Sequence, residues 1–195
     1  MPAITDTSII EQVMPRAKGK LAELYSAHLI NAMSSDKITG VLREAAFLAQ
    51  IAHESGELHH VREIWGPTTW QVKYEGHQGL GNILPGDGKR FLGRGLIQLT
   101  GRDNYRRCSR TLFQDECLLD NPKLLEEPEY ATLSAAWYWN ERKINEPADQ
   151  GDFRQVTKRI NPALLGLQKR QAYYQLALEC LKAAAASQKA IHSGE

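Results

Sequence analysis

The chain has 195 residues, 42% of them hydrophobic and 24% charged, with a net charge of +1. That suffices for one domain with a real core and falls short of two, and the balanced charge gives no global reason to expect nucleic acid. Three cysteines (Cys108, Cys117, Cys180) with no CxxC spacing argue against a disulfide framework or zinc knuckle and suit a protein made in a reducing cytoplasm.

Met1 to Asp6 lack a basic segment followed by an apolar run, so no signal peptide is expected. No apolar stretch approaches the roughly 20 residues that span a bilayer, so stable membrane insertion is not expected either. Leu21, Leu24, Tyr25, His28, Leu29 and Ala32 recur at helical spacing. So do Val41, Leu42, Ala45, Leu48, Ala49, Ile51 and Ala52, with Thr39 or Gly40 near the N-cap and Gly56 as a stop. The stretch 66–95 is dense in glycine and proline and predicts a functional loop region or a short hairpin.

Between Lys89 and Arg110 there are seven basic residues and one acid, Asp103. They read either as a solvated face or as a basic wall beside a cleft for an acidic polymer. Helical spacing returns after Asp103, and Asp120-Asn121-Pro122 is a turn into another helix. Tyr130 to Trp139 is helical, with Trp137 facing the core. Asn145 to Asp152 reads as a loop. Phe153 to Ile160 is a short helix that ends where Pro162 disfavours helical geometry at Asn161. Leu167 to Ala186 is the last helix, with core packing a better use for it than membrane disruption, and the tail over 187–195 is expected to fray. The expectation is one mainly α domain over 1–195.

Glu54 closes the second predicted helix and Glu63 follows nine residues later. A carboxyl at a helix end among Ile51, Ala52 and Leu58 would hold its proton, whereas one in the loop region would stay ionised. Such a pair suits glycoside cleavage, which needs a proton donor to the leaving oxygen and a base for water. The spacing alone fits two surface glutamates equally well. His53, Glu57 and His60 share a helical face, but the fifth position of a zinc-protease helix is Glu57 rather than His, and Gly56 interrupts it, so no metal is expected. Gly86-Asp87-Gly88 and Gly93-Arg94-Gly95 do not complete a phosphate loop. The glycines suit close approach to a sugar, and Thr100 suits a hydroxyl that orients water.

Three segments resemble the glycoside hydrolase family 19 chitinases and lysozymes, and most of all their compact phage endolysins. These are Ala52-His53-Glu54-Ser55-Gly56, the run Gly93 to Tyr105, and Val156 to Asn161 followed by Gly166, Arg170 and Tyr173. The resemblance covers roughly residues 40–180 and implies a lysozyme-like helical fold with a substrate cleft and no cofactor. It matches Glu54 to the general acid, Glu63 to the base and Thr100 to the holder of the attacking water. It matches Gln98 and Asn104 to sugar contacts, and Asn161 and Arg170 to a polar pair on the far side of the cleft. Asn161-Pro162-Ala163 and Leu165 depart from the family's pattern. Trp65, Trp70 and Tyr74 are candidates to stack on sugars or to join the core. Arg94 is either an ion-paired loop anchor or a substrate contact. His53 is either a structural neighbour of Glu54 or part of the substrate-binding set.

The resemblance implies an inverting muramidase that cuts the β-1,4 bond between N-acetylmuramic acid and N-acetylglucosamine, with its carboxyl groups about 6.5–9.5 Å apart. A phage endolysin of this kind would be a monomer made in the host cytoplasm. It would reach the wall through a holin-type pore and act on peptidoglycan glycan strands to lyse the host. Two alternatives remain open: a chitinase of the same fold, and a wall-binding module without catalysis.

Overall fold

A computed structural model describes residues 7–192, with side chains described as far as Ser187. The chain begins with Thr7–Val13 (α1), Lys20–Ser35 (α2) and Val41–Glu54 (α3). The loop region holds only the short helices Thr69–Val72 (α4) and Asp87–Arg90 (α5) and a 3-10 turn, Gln78–Leu80. Arg102–Phe113 (α6) and Cys117–Asp120 (α7) follow, then a 3-10 turn at Pro122–Glu126. Pro128–Glu141 (α8), Asn145–Asp149 (α9), Phe153–Ile160 (α10) and Leu167–His192 (α11) complete the order.

The mainly α expectation holds, and no strand is present among the described residues. Of the two expectations for the glycine-rich region, loop or short hairpin, the loop holds, pinned by two isolated antiparallel bridges, Arg62 with Arg94 and Arg94 with Leu99. The segment Asn145–Asp149, expected as loop, is helical because Asn145 is tied from outside: its Oδ1 accepts from Trp139 Nε1 at 2.8 Å. The tail expected to fray over 187–195 continues as helix to His192, while residues 193–195 lie outside the described residues. Met1 to Asp6, where no leader is expected, also lie outside them. Among the described residues no helix is long and apolar enough to cross a membrane.

Helix α3 is the axis of the fold. Every residue from Glu44 to Ala52 is buried. Its alanines at 45, 46, 49 and 52 let neighbours approach closely, and α11 packs along it most extensively. Gly40 carries the N-cap, and its N–H donates to Glu44 Oε1 at 2.8 Å, so an acid in the first turn satisfies an otherwise orphaned donor. The helix ends as the sequence predicts. Gly56, Glu57 and Leu58 then take three successive left-handed conformations, with φ of 56°, 61° and 68°. Two of these residues carry a Cβ, and such geometry persists only where the surroundings impose it. Here Leu58 N–H donates to Ser55 Oγ at 2.8 Å, and Glu57 accepts from Arg16 N–H at 2.8 Å and from the Tyr173 hydroxyl at 2.7 Å.

Two hydrophobic clusters form. The larger gathers α1, α2, α3, α11 and one side of α8; the smaller gathers Phe91, Leu99, Tyr105, Cys108, Leu118, Leu119, Leu125 and Trp137. Helix α8 belongs to both, giving Ala131, Ala135, Ala136 and Trp139 to the first and Trp137 to the second. Tyr138 packs against both.

Candidate active site

A cleft of about 650 Å³ opens beside the end of α3. It is lined by Glu54 from that end, by Gln98 and Thr100 from the glycine run, and by Asn104 on α6. Tyr138 and Arg142 at the end of α8, Asn161 after α10, and Trp70 and Tyr74 from the loop region complete its polar and aromatic wall.

Glu54 is not held by apolar contacts alone. Its Oε1 accepts from Arg170 Nη2 at 2.5 Å. The same guanidinium donates through Nη1 to Gln50 Oε1 at 2.5 Å and through Nε to the Leu165 carbonyl at 3.0 Å. Gln50 in turn donates to Thr157 Oγ1 at 2.9 Å. This buried chain ties α3, α10 and α11 together behind one carboxyl. The Arg170 side chain is only 1% exposed against 19% for Glu54, so Arg170 positions the glutamate and does not reach into the cleft. Its expected place on the far side of the cleft, in contact with sugar, is therefore corrected. A bidentate fork held on three sides fixes its target better than a flexible amine would.

His53 is likewise behind the site. Its Nδ1 is buried with no partner, and its ring lies against Gly166, where a Cβ would collide with it. Burial, and then the positive charges of Arg170 and Lys169, pull its imidazole down to about 4. The ring is thus neutral near pH 7, and it stands outside the cleft lining rather than among sugar contacts.

Arg94 resolves as the ion-paired loop anchor. It is 5% exposed. Its guanidinium meets Glu126 at 2.7 Å, the Arg90 carbonyl at 2.8 Å and the Tyr105 hydroxyl at 3.1 Å, and it does not line the cleft. The other arginines of the basic run are also engaged. Arg90 caps the Leu119 carbonyl, Arg102 pairs with Asp87, Arg106 with Asp103, Arg107 with Glu141 and Arg110 with Glu116. The run is a set of internal ties rather than a basic wall.

The glycine run presents its groups through unusual backbone. Gln98 is left-handed at φ 56° and donates to the Gly95 carbonyl at 3.0 Å. Thr100 donates its hydroxyl hydrogen to the Gln98 carbonyl at 2.9 Å, so its oxygen faces the cleft as an acceptor. Gly93 lies beneath both: a Cβ there would stand 2.9 Å from Gln98 Oε1 and 3.3 Å from Thr100 Oγ1. Asn104 spends its amide on the Thr100 carbonyl at 2.7 Å. Asn161 lines the cleft despite Pro162, its Oδ1 accepting from Ala163 N–H at 3.1 Å and its amide group left to donate.

Glu63 and Trp65 line a smaller neighbouring pocket of about 400 Å³ with Arg62, Ile64 and Lys89, and not the main cleft. Tyr74 links the cleft to Glu63 of that pocket. Its ring lines the cleft and its hydroxyl donates to Glu63 Oε1 at 3.4 Å, where burial and the Glu63 charge push its phenol up. Glu63 also accepts from Gln71 Nε2 at 2.9 Å and from Gly93 N–H at 3.1 Å. Trp65 packs near Tyr74, with ring centres 6.4 Å apart. The other nearby acids are spent structurally. Glu75 caps the Gly86 and Gly88 amides at 2.6 and 2.9 Å, and Glu57 is 5% exposed and bonded as described.

Sequence reasoning missed two groups at the cleft. Arg142 lies 4.8 Å over the Tyr138 ring, and among the described residues its guanidinium has no carboxylate partner. The Tyr138 phenol is pushed up by burial, with Arg142 opposing and Glu54 adding. Their signal was an arginine four residues after a tyrosine at a helix end, a pattern too common to single out. No cluster of three or more His, Cys, Asp or Glu suited to a metal ion occurs among the described residues.

The comparisons with known proteins give the family and the fold. A family model of glycoside hydrolase family 19, described as chitinase class I, matches residues 25–163. A glycosyl hydrolase family 19 domain-containing protein of Haemophilus influenzae is 29% identical over 191 residues, covering 84% of this chain and 90% of that protein. Endochitinase 1 of Theobroma cacao is 34% identical over 125 residues, covering 60% of this chain but only 38% of its own length. In fold, the chain is similar to chitinase C of Streptomyces griseus, with a TM-score of 0.71 at 24% identity, covering 91% of this chain and 76% of that one. The class IV chitinase of Zea mays gives a TM-score of 0.70 at 20% identity, covering 92% and 93%.

Proposed function

The chain belongs to glycoside hydrolase family 19, and from that premise we propose that it cuts β-1,4 bonds between N-acetylmuramic acid and N-acetylglucosamine in peptidoglycan by an inverting acid/base mechanism. Glu54 at the cleft, clamped by Arg170, carries this reading. Glu54 gives its proton to the glycosidic oxygen as the bond to the anomeric carbon breaks. A water donates one hydrogen to the Thr100 oxygen and the other to Glu63, and its lone pair attacks the carbon from the opposite face. The water's proton ends on Glu63, and exchange with solvent resets both carboxyls. Thr100 suits this part because its own hydrogen is already committed to Gln98. Glu63 is favoured as base because Glu57 is buried between Arg16 and Tyr173 and Glu75 spends one oxygen on each of two loop amides, whereas Glu63 Oε2 accepts only from Gly93 among the described residues and keeps a lone pair for water.

Peptidoglycan is favoured over an uncharged polymer by Arg142, a guanidinium without an acid partner on the cleft wall. Wall strands carry carboxylates that such a group would meet. Host lysis after passage through a holin-type pore is the biological role consistent with that substrate. The second reading is chitin, favoured by the endochitinase relatives. Digestion of purified peptidoglycan and of chitin oligomers, followed by NMR of the first product, tests both. The expected result is reducing-end muramic acid in the α form. A β product overturns inversion, and turnover of chitin alone overturns the choice of substrate.

A further inference from the structure

The 400 Å³ pocket beside the cleft combines features that no sugar requires. Lys89 is exposed and has no partner among the described residues, alone among the basic residues from Lys89 to Arg110. Arg62 is 46% exposed, and its nearest acid, Glu126, is 3.9 Å away. Between these cations stands an apolar wall: Ile64, 84% exposed, and the half-buried Trp65. Glu63 lies at the same pocket, where its carboxylate is held by Gln71, Tyr74 and Gly93. The ligand that fits is a short chain with carboxylates for the cations and small aliphatic groups for the wall.

We propose that this pocket binds the peptide stem carried by muramic acid, so that the chain reads the peptide as well as the glycan. The inference rests on the peptidoglycan reading above. Tyr74 of the cleft donates to Glu63 of the pocket, which makes the two sites neighbours, as a stem branching from a strand in the cleft demands. A carboxylate seated between Arg62 and Lys89 would also draw the strand toward Glu63.

The test compares intact peptidoglycan with the same glycan strands stripped of peptides by an amidase, for wild type and for Lys89→Glu. Both Lys89 and Ile64 are exposed, so Lys89→Glu and Ile64→Ser retain the fold. Wild type is expected to cut intact strands with a lower KM than stripped ones. Lys89→Glu should lower the ratio of kcat/KM on intact over stripped strands about tenfold, equivalent to about 1.4 kcal/mol. Ile64→Ser should lower it less. A wild type that treats both strands alike, or a ratio unmoved by Lys89→Glu, overturns the peptide site while leaving the muramidase reading intact. A wild type that cuts neither strand but cuts chitin oligomers overturns the reading beneath it.

Discussion

Arg170 reaches Glu54 across 116 residues of sequence and holds it at 2.5 Å from a position that is itself 1% exposed. The pair is asymmetric, because only the glutamate faces the cleft. In Arg170→Lys one ammonium must replace a fork that serves Glu54, Gln50 and Leu165 together. Stability is expected to fall by about 2–4 kcal/mol, since buried acceptors lose their donors. kcat should fall by about 10²-fold or more as Glu54 loses its fixed direction. Thermal melts and steady-state rates on one preparation separate the two losses.

Glu54→Gln keeps an acceptor for Arg170 and so keeps the fold, with a melting temperature close to wild type. Lysis should drop by about 10³-fold, because an amide has no acid proton for the leaving oxygen. Binding to insoluble wall should persist. Lysis near the wild-type level would return the chain to the wall-binding alternative.

Glu63→Ala removes the proposed base and opens space next to Gly93. Activity should fall steeply, and azide, which needs no deprotonation, should restore part of it and give a glycosyl azide of inverted configuration. If azide restores nothing while the fold is intact, Glu63 serves only to hold Gln71, Tyr74 and Gly93 in place.

Gly166 and Gly93 predict opposite balances of stability and activity. Gly166 has φ of 71° and packs against the His53 ring, so Gly166→Ala meets both backbone strain and collision. A loss of about 2–4 kcal/mol in chemical denaturation is expected. Gly93 has no such φ, and the first atom a Cβ would meet is the end of the Gln98 side chain. Gly93→Ala should cost under about 1 kcal/mol and reduce kcat about tenfold or more by displacing Gln98 and Thr100. Equal losses for the two variants would show that Gly93 matters only to folding.

His53 sets an acid limit. Its folded value of about 4 lies below the ordinary 6.5. The unfolded chain therefore takes up a proton there first. Its contribution to stability is fully present above pH 6.5 and is lost as pH falls toward 4. Melting temperatures between pH 7 and pH 4 should decline less steeply in His53→Gln than in wild type. NMR titration of the imidazole checks the value directly, and a midpoint near 6.5 would sink the argument.

The sequence carried what depends on neighbours along the chain. Helix α3 and its stop at Gly56, the short helix Phe153–Ile160 and the loop character of 66–95 all follow from periodicity and from glycine and proline. Helix α1 went unread because seven residues give too little periodicity to stand out. Distance defeated the rest. Arg94 and Arg170 look like free cations until Glu126 and Glu54, 32 and 116 residues away, are brought against them. Glu63 and Trp65 belong with the glycine run on local grounds, yet the bridges at Arg62 and Leu99 turn them toward a separate pocket. Asn145 to Asp149 read as loop, and the bond from Trp139 that ties Asn145 into the helical turn is not visible in the sequence.

Helix α8 is a rigid strut between the two hydrophobic clusters, with Tyr138 seated in both. The walls of the cleft therefore cannot swing apart about a hinge without prising that helix from one cluster. The opening is built as a gauge of fixed bore rather than as a jaw that closes on its catch.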